Sequence, residues 1–486
     1  MYLGIDIGTS GVKTVVMDEN DRVAAEASAP LSSSHPRPLW SEQSPHDWWN
    51  AVAATLDELA KTSRTKMQSV RAIGLSGQML GVALLDAAGE PLRPALLWND
   101  GRAAAQCDEL HRAIPDFADI VGCPAMPGFS APKIAWLARH EPAVLDRARR
   151  ILLTKDYVRL CLTGETASDR ADASATLLMD TERGDWHDGI LAACGIDRAR
   201  LPRLIESADV SGTLRDALAL RWHLPRGLPV AGGGGDNMCG GVGVGAVRAG
   251  AAYVSLGTSG VWCVANDRFL PARGGGMHTH RHAVPSLYAQ HAVVLSAGGA
   301  LAWVAGLLGR SDIGALLAEV AAARLSPADT PVFTPYLAGE RTPHDDPELT
   351  AAFSDLTHRT GPLHLVQAVL EGVALALGDC HAALTGSGAA IDRIVLTGGG
   401  ARSDLWARLM AAAVGKPLIL TADRQAGPAI GAARLARASI GGPLIAASAG
   451  QDTGSVVAVD PDLADQLAQK KSRYRAHVSL SATEVG

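Results

Sequence analysis

The sequence of 486 residues lacks the features of fibrous, disordered and nucleic-acid-binding proteins. Aromatic residues make up only 4% of it and no Gly-X-Y period occurs, which excludes collagen-like and low-complexity fibres. Hydrophobic residues at 47% and charged residues at 19% exclude a mainly disordered chain. The formal net charge is −6 and no basic run is present, so we expect neither nucleic acid nor an anionic membrane as a partner.

Disulfide and metal-ligand patterns are also missing. The seven cysteines are odd in number, widely spaced and never arranged as CxxC, which favours buried thiols in a reducing compartment. His278, His280 and His282 alternate along a strand-like segment without a set of carboxylates or cysteines. This pattern favours a role at the surface or in a domain cleft over a metal site.

The sequence also shows no signal for targeting and none for a membrane-spanning helix. The N-terminus reaches a charge at Asp6, too early for a signal peptide, and no charge-free run of 18 apolar residues occurs. Together with the cysteine pattern, this predicts a soluble cytoplasmic protein.

Glycine is the residue present in excess, with 52 copies or about one residue in nine, against a usual share of roughly 7%. Neither GxxxxGK[ST] nor GxGxxG occurs, which excludes a P-loop and a dinucleotide-binding motif. Glycine clusters elsewhere then indicate places where the backbone comes close to a ligand.

One pentapeptide, Gly-Thr-Ser-Gly-Val, occurs at residues 8–12 and again at residues 257–261, each time between two apolar strand-like runs. The match is either a coincidence or the mark of two halves with related architecture that offer two hairpins to one ligand. Strands alternate with helices in both halves, which predicts an α/β fold. The repeat predicts two domains, residues 1–245 and 246–486.

The two hairpin turns can bind phosphate, because glycine exposes backbone N–H groups next to two hydroxyls. Asp6 precedes the first turn, where it could orient a metal ion, and Lys13 adds a positive charge. A plain hairpin with a strand-end aspartate is the alternative for the first copy, whereas the second copy favours two phosphate clamps.

Two further glycine clusters follow strand-like segments. Residues 232–235 are all glycine and lead into Asp236, a carboxylate that can accept the proton of an attacking hydroxyl; a helix N-cap is the alternative. Residues 398–400 are also glycine and lie between a strand and a helix that opens at Ser403. That arrangement accepts a nucleotide base, or else simply starts a helix.

Two polar loops in the first half suit sugar hydroxyls. One contains Gln78, Met79 and Leu80, and the other contains Trp98, Asn99 and Asp100. Amide and carboxylate groups beside bulky apolar side chains are typical of small-molecule sites. Turn chemistry for the second loop, and core positions for Met79 and Trp98, are the alternatives.

Taken in order, these segments resemble the FGGY family of carbohydrate kinases, within the actin-like ATPase fold, over residues 1–444. Residues 128–137 match the family signature of the first half. Residues 351–371 match that of the second half, with Asp355 in place of the usual glycine. The loops are most similar to those of the bacterial xylulokinases, except that Leu80 replaces a usual histidine.

The resemblance implies two actin-like (ribonuclease H-like) ATPase lobes with a cleft between them. It also implies ATP-dependent phosphorylation of a ketopentose, D-xylulose to D-xylulose 5-phosphate, by direct in-line transfer with Asp236 as general base. ATP and Mg²⁺ are the implied cofactors, with Asp6 and Asp236 at the metal. The implied ATP contacts are Gly8, Thr9, Ser10, Lys13, Gly257, Thr258, Ser259, Gly399, Gly400 and Ser403, and the implied sugar contacts are Gln78, Met79, Leu80, Trp98, Asn99, Asp100, Asp236 and Asn237.

Alternatives remain at two levels. Another ketopentose or a polyol, such as D-ribulose, L-xylulose, L-ribulose or glycerol, is the alternative substrate. A non-catalytic actin-like ATP-binding switch is the alternative from a different class. The sequence is compatible with a homodimer.

Overall fold

The computed structural model describes residues 1–421, 427–446 and 454–483. Each half of the chain is built around a seven-stranded sheet. The strands of the first half are β1 Tyr2–Ile7, β2 Gly11–Met17, β3 Val23–Pro30, β4 Glu42–Gln43, β5 Ile73–Gly77, β6 Ala83–Leu85, β7 Ala95–Leu96, β8 Arg150–Leu152, β9 Ala167–Asp169, β10 Met179–Asp180, β11 Asp185–Trp186, β12 Arg203–Ile205, β13 Val210–Thr213, β14 Pro229–Ala231 and β15 Gly234–Gly235. Its helices are α1 Pro45–Thr62, α2 Arg64–Gln68, α3 Ala104–Ala113, α4 Phe117–Val121, α5 Ser130–His140, α6 Pro142–Arg147, α7 Thr154–Thr163, α8 Arg170–Ala175, α9 Asp188–Ala193, α10 Asp216–Arg221 and α11 Asp236–Gly243.

The second half continues the same numbering. Its strands are β16 Ala251–Leu256, β17 Gly260–Asn266, β18 His278–Arg281, β19 Tyr288–Val294, β20 Val332–Thr334, β21 Ala352–Ser354, β22 Arg393–Thr397, β23 Leu418–Leu420 and β24 Ser455–Val457. Its helices are α12 Gly298–Leu307, α13 Ile313–Ala323, α14 Pro362–Gly386, α15 Asp404–Val414, α16 Pro428–Ser439 and α17 Pro461–Thr483.

The two sheets have the same strand arrangement around the repeated pentapeptide. In the first sheet the order is β13-β14-β5-β1-β2-β3, with β1 antiparallel to β2 and parallel to β5. In the second the order is β18-β19-β17-β16-β22-β23-β24, with β16 antiparallel to β17 and parallel to β22. Both pentapeptides thus form the first hairpin of related sheets, and the coincidence interpretation is wrong.

Alternation along β1 and β2 gives the first sheet two apolar faces, as the period of two in a strand requires. Leu3, Ile5 and Ile7 pack against α1 in one buried cluster, whereas Tyr2 packs against α16 in another. The first sheet is therefore covered on one face by a helix from its own half and on the other by a helix from the end of the chain.

Helices α11 and α16 pack closely against each other and join the two halves. A Cβ atom on Gly431 of α16 would lie 1.8 Å from the carbonyl oxygen of Cys239 in α11. Gly4 of β1 and Gly74 of β5 approach the α16 backbone as closely, since a Cβ on either would lie 1.9 Å from a carbonyl oxygen of α16. The sequence analysis did not predict this position of α16. The predicted domain boundary at residue 245 falls between α11 and β16 and stays a prediction.

The predicted surface position of His278, His280 and His282 is wrong, because all three are buried. Strand β18, which carries His278 and His280, pairs with β19 and packs against α8 of the first half, and this fits the alternative position between the two halves. Residues 399–402 form a short 3-10 helix after β22, and α15 then begins with Ser403 as its N-cap, as the sequence predicted.

One described helix, α14, has the length and hydropathy of a membrane span. However, 83% of its apolar window is buried inside the protein, as expected for the core helix of a domain. Its residues Val366, Val369 and Val373 belong to the main apolar cluster of the second half.

Candidate active site

A cavity of about 360 Å³ lies between the two halves. Residues from α11, β16, the end of β22 and the start of α16 line it: Asp236, Asn237, Gly240, Val244, Tyr253, Ser255, Thr397, Gly398, Gly427 and Pro428. The cavity therefore brings together residues that are up to 192 positions apart in sequence, among them the predicted base and part of the predicted nucleotide site.

Asp236 is the first residue of α11, and it lies within electrostatic reach of Asp6 on β1. Burial raises the pKa of Asp236 to about 7, and the negative charge of Asp6 acts in the same direction. Burial also raises the pKa of Asp6 to about 6, although the Ser76 hydroxyl donates a hydrogen bond to Asp6 Oδ1 at 2.8 Å. Two carboxylates with raised pKa values in one cleft are typical of a site for acid–base or metal chemistry.

The structure also decides the alternative role of Asp236. The N-cap residue of α11 is Gly235, and among the described residues only the adjacent N–H of Asn237 donates a hydrogen bond to the Asp236 carboxylate, at 2.7 Å. The helix-cap interpretation of Asp236 is therefore wrong, and its side chain is available to the cavity.

The carboxylate pair fits Mg²⁺ better than a tightly bound structural metal. No group of three or more His, Cys, Asp or Glu side chains in the described parts of the chain could hold a metal ion by itself. Mg²⁺ in kinases usually has one or two protein carboxylates together with substrate phosphates. Asp6 and Asp236 supply such a pair, and a bound cation would offset the negative charge of Asp6, which adds to burial in raising the pKa of Asp236.

Lys13 lies opposite Asp6 in the β1–β2 register. Its ammonium group pairs with Glu26 on β3 at 3.0 Å, and both line a small cavity of about 80 Å³ together with Asp6 and the start of α16. The charge of Lys13 lowers the pKa of Asp6. Its predicted contact with ATP stays a prediction.

The first hairpin is bonded to the predicted sugar loops. The Thr9 hydroxyl donates to Gln78 Oε1 at 3.0 Å and accepts a hydrogen bond from Trp98 Nε1 at 2.9 Å. Gln43 Nε2 donates to the Thr9 carbonyl at 2.6 Å. The Thr9 side chain thus connects the hairpin with the sugar loops, and the Gly8 N–H donates to the Gly11 carbonyl at 2.9 Å within the turn. The predicted phosphate contacts of this hairpin stay predictions.

The second hairpin is fixed by the start of α12. The carbonyl of Gly257 accepts a hydrogen bond from Gly298 N at 2.8 Å, and that of Thr258 accepts from Ala297 N and Gly299 N, each at 2.9 Å. Within the turn, Gly257 N donates to Ser259 O at 3.0 Å. Because Ser255 lines the cavity just before the turn, the hairpin lies at the cavity edge.

The glycines after β22 have different functions. Gly398 lines the cavity with a φ of +92°, and a side chain on Gly399 would meet nothing within 4 Å. A Cβ on Gly400 would instead lie 2.4 Å from Leu256 Cδ2, and the Ser403 hydroxyl caps α15 by accepting from Trp406 N at 3.3 Å. Gly399 thus has the open space that a nucleotide needs, whereas Gly400 and Ser403 also have structural functions.

The loop with Gln78, Met79 and Leu80 meets α11. The Asn237 amide lies 3.7 Å from Met79 Sδ, and a Cβ on Gly235 would be 2.4 Å from Met79 Cγ. Leu80 has a φ of +69°, a left-handed conformation that is unusual for a leucine. The structure therefore brings this loop next to Asp236 and Asn237.

The second sugar loop is only partly directed at the cleft. Trp98 is 45% exposed and hydrogen-bonded to Thr9, and Asn99 is exposed beside a separate open cavity lined by residues 35–40. Asp100 is buried, and its carboxylate accepts from Ser41 N at 2.7 Å and from the Arg102 guanidinium at 2.6 and 2.8 Å. Both oxygens of Asp100 are therefore bonded within the fold, and its predicted contact with a sugar stays a prediction.

Sequence reasoning gave no role to Gln43, Ser76 and Lys133, which hold the predicted site residues in place. Gln43 binds Thr9 and Gln78, and Ser76 binds Asp6. Ser76 could have been found, because it lies at the carboxyl end of β5, the parallel neighbour of β1.

The fold and the site agree with the comparison to protein families. Residues 1–243 match the N-terminal domain, and residues 252–440 the C-terminal domain, of the FGGY family of carbohydrate kinases. The chain belongs to the FGGY family of carbohydrate kinases. It is accordingly an ATP-dependent sugar kinase with the two-lobed, actin-like architecture of that family, as the sequence resemblance implied.

Individual FGGY relatives are similar over nearly their whole length. The chain is 44% identical to xylulose kinase from Escherichia coli (strain K12) over 438 residues, 90% of each protein. Among solved structures, a xyloylose kinase from Brucella ovis superposes with a TM-score of 0.94 at 38% identity, covering 99% of both chains. Xylulose kinase from Rhodospirillum rubrum superposes with a TM-score of 0.90 at 30% identity, covering 99% of this chain and 98% of the other.

Proposed function

We propose that this kinase transfers the γ-phosphoryl group of ATP to a hydroxyl of D-xylulose, giving D-xylulose 5-phosphate and ADP. The observation that carries the proposal is the position of Asp236, which begins α11 at the cavity between the two halves and adjoins the loop of Met79. The xylulose kinases among its relatives support the choice of sugar.

Asp236 acts as the general base. As the sugar oxygen forms its bond to the γ-phosphorus, Asp236 accepts the hydroxyl proton, and the bond from that phosphorus to the ADP oxygen breaks. A carboxyl group with a pKa of about 7 suits this step, because it is substantially ionised near neutral pH and still basic enough to accept a proton.

The remaining rate enhancement comes from alignment and charge neutralisation. Asp6 and Asp236 would hold Mg²⁺, which when bound neutralises charge on the phosphates. The backbone turns at Gly8 and Gly257 orient the phosphate chain from the two halves. Closure of the cleft around both substrates excludes water as a competing acceptor.

The presence of leucine at position 80, instead of a histidine, makes a second ketopentose a candidate substrate. Its alkyl side chain cannot donate or accept a hydrogen bond at the predicted sugar contact, where a histidine ring would do both. The loss of one such bond changes the relative affinity for sugars that differ in a single hydroxyl configuration.

A coupled ADP-release assay tests the substrate assignment. It compares kcat/KM for D-xylulose, D-ribulose, L-xylulose, L-ribulose and glycerol at saturating ATP and Mg²⁺. We expect D-xylulose to have the highest value, and a higher value for any of the other four would contradict the assignment while leaving the kinase activity in place.

A further inference from the structure

Lys133 on α5 is a fully buried cation whose hydrogen bonds are all to backbone carbonyls. Its ammonium group donates to the carbonyls of Leu80 at 2.7 Å, Leu97 at 2.8 Å and Leu96 at 3.3 Å. These bonds use the three N–H donors that a lysine has. One side chain therefore connects α5 with both polar loops of the first half.

The three carbonyls belong to the segments that carry the proposed sugar contacts. Leu80 is itself a predicted contact, and Leu97 directly precedes Trp98. The Leu80 carbonyl also accepts a hydrogen bond from the Ser130 hydroxyl at 3.0 Å. Two donors on one carbonyl hold Leu80 in its left-handed conformation, which is strained for a bulky residue.

A role in core packing alone does not explain a lysine here. Burial lowers the pKa of Lys133 to about 7, against an opposing effect of the Asp100 carboxylate, so the charged form pays a desolvation cost. Asp100 itself is bonded to Ser41 and Arg102. An apolar side chain would fill the volume without that cost, but it would leave the loop carbonyls without their donor.

We infer that Lys133 is a positioning residue for sugar binding: its ammonium group ties the Leu80 carbonyl to the segment that precedes Trp98, and so fixes the Leu80 backbone at the proposed sugar site. The inference rests on the proposed function, since it assigns a role within the proposed sugar site. Lys133 acts through the two loops and does not itself contact the substrate.

The test is the pair of variants Lys133→Met and Lys470→Met, with KM measured separately for D-xylulose and for ATP. Lys470 is a matched control, because it is a buried lysine whose ammonium group donates to Thr330 and Glu371 in the second half. We expect Lys133→Met to raise the KM for the sugar at least about tenfold and to leave the KM for ATP within about twofold. Lys470→Met should lower the melting temperature and leave both KM values within about twofold.

Equal effects on both KM values in Lys133→Met, or an unchanged sugar KM, would overturn the positioning role. If Lys133→Met does not fold, Ser130→Ala decides: it removes one donor from the Leu80 carbonyl and should raise the sugar KM by about two- to fivefold, and no change would overturn the inference. A wild-type protein that phosphorylates none of the five acceptors would overturn the proposed function and this inference with it. An active wild type with an unaffected Lys133→Met overturns only the inference.

Discussion

At the scale of single residues, the account depends most on Asp236, because only a carboxylate facing the cleft can accept the sugar proton. Asp236→Asn preserves the size of the side chain and removes the base. We expect kcat to fall by roughly 10²–10⁴-fold, with the KM for the sugar changed far less. Steady-state kinetics with D-xylulose measure both values.

Asp216→Asn is the matched control for this prediction, since Asp216 is also the first residue of a helix, α10, but lies on the surface. It should leave kcat unchanged. A kcat of Asp236→Asn within tenfold of the wild-type value would rule out Asp236 as the base.

Leu80 provides a second prediction at this scale. Leu80→His introduces a side chain that forms hydrogen bonds and that tolerates a positive φ better than leucine does. We expect the KM for D-xylulose to fall by about five- to tenfold, which is the effect of one additional hydrogen bond to the sugar. The melting temperature should rise slightly, because the backbone strain at position 80 is smaller for histidine. A KM that is unchanged for D-xylulose and for the four other acceptors would show that this position does not select the sugar.

The sequence predicted which residues cluster better than it predicted what their side chains do. Asp6 lies near the end of β1 and Asp236 directly after β15, and the charge of Asp6 acts on Asp236, while their predicted roles stay predictions. Thr9, Asp100 and Ser403 have protein partners that the sequence did not predict, since these partners come from segments distant in sequence or from helix capping. Single-sequence patterns carry no information about such tertiary partners.

At the scale of elements, the contact between α11 and α16 positions Asp236, because Asp236 begins α11. Gly431→Ala would place a methyl group 1.8 Å from the Cys239 carbonyl oxygen, so one helix must move. We expect the free energy of unfolding to fall by at least about 1–3 kcal/mol and kcat to fall as well. Chemical denaturation and kinetics of the same preparation measure the two effects.

Gly306→Ala is the control, because Gly306 lies inside α12 and a Cβ there would meet nothing within 4 Å. It should stabilise the protein by about 0.5–1 kcal/mol, as alanine in place of glycine does inside a helix. Equal effects of the two substitutions would show that the crossing of α11 and α16 is not tightly packed.

The sequence also predicted elements unevenly. The two hairpins and the start of α15 follow from local patterns, since α15 begins at Asp404 with Ser403 as its N-cap. The position of α16 on the first sheet does not follow from a local pattern, because a helix that is apolar on one face can pack on either sheet. In the sequence, this close contact is marked by the small residues Gly4, Gly74 and Gly431. Because glycine also occurs in turns and loops for other reasons, these residues alone do not predict the contact.

At the scale of the whole molecule, a cluster of buried histidines makes stability depend on pH. The ring centroid of His278 lies 4.9 Å from that of His291 and 5.1 Å from that of His280, and the centroids of His280 and His291 are 5.8 Å apart. Burial lowers the pKa of His291 to about 3 and that of His282 to about 4. Because these values lie below that of an unfolded histidine, about 6.5, their contribution to stability is complete above pH 6.5 and is lost as the pH falls toward 4.

His291→Leu tests this dependence. The variant should lose less stability than the wild type between pH 7 and pH 5, by about 2 kcal/mol, because one buried group no longer takes up a proton on unfolding. Burial raises the pKa values of three carboxyl groups, so their effect on the pH dependence of stability is opposite to that of the histidines; they are Asp6, Asp236 and Glu340. The quantity to compare is therefore the difference in unfolding free energy between variant and wild type. The exposed His358 supplies the control His358→Leu, and equal slopes for wild type and His291→Leu would contradict the prediction.

The most direct test of the central claim is the fate of the γ-phosphoryl group, followed by ³¹P NMR with ATP, Mg²⁺ and D-xylulose. We predict one sugar phosphate for each ADP formed, no accumulation of inorganic phosphate, and loss of both products in Asp236→Asn. Formation of ADP with inorganic phosphate and without sugar phosphate would contradict phosphoryl transfer to the sugar, and would instead fit an ATP-driven conformational switch.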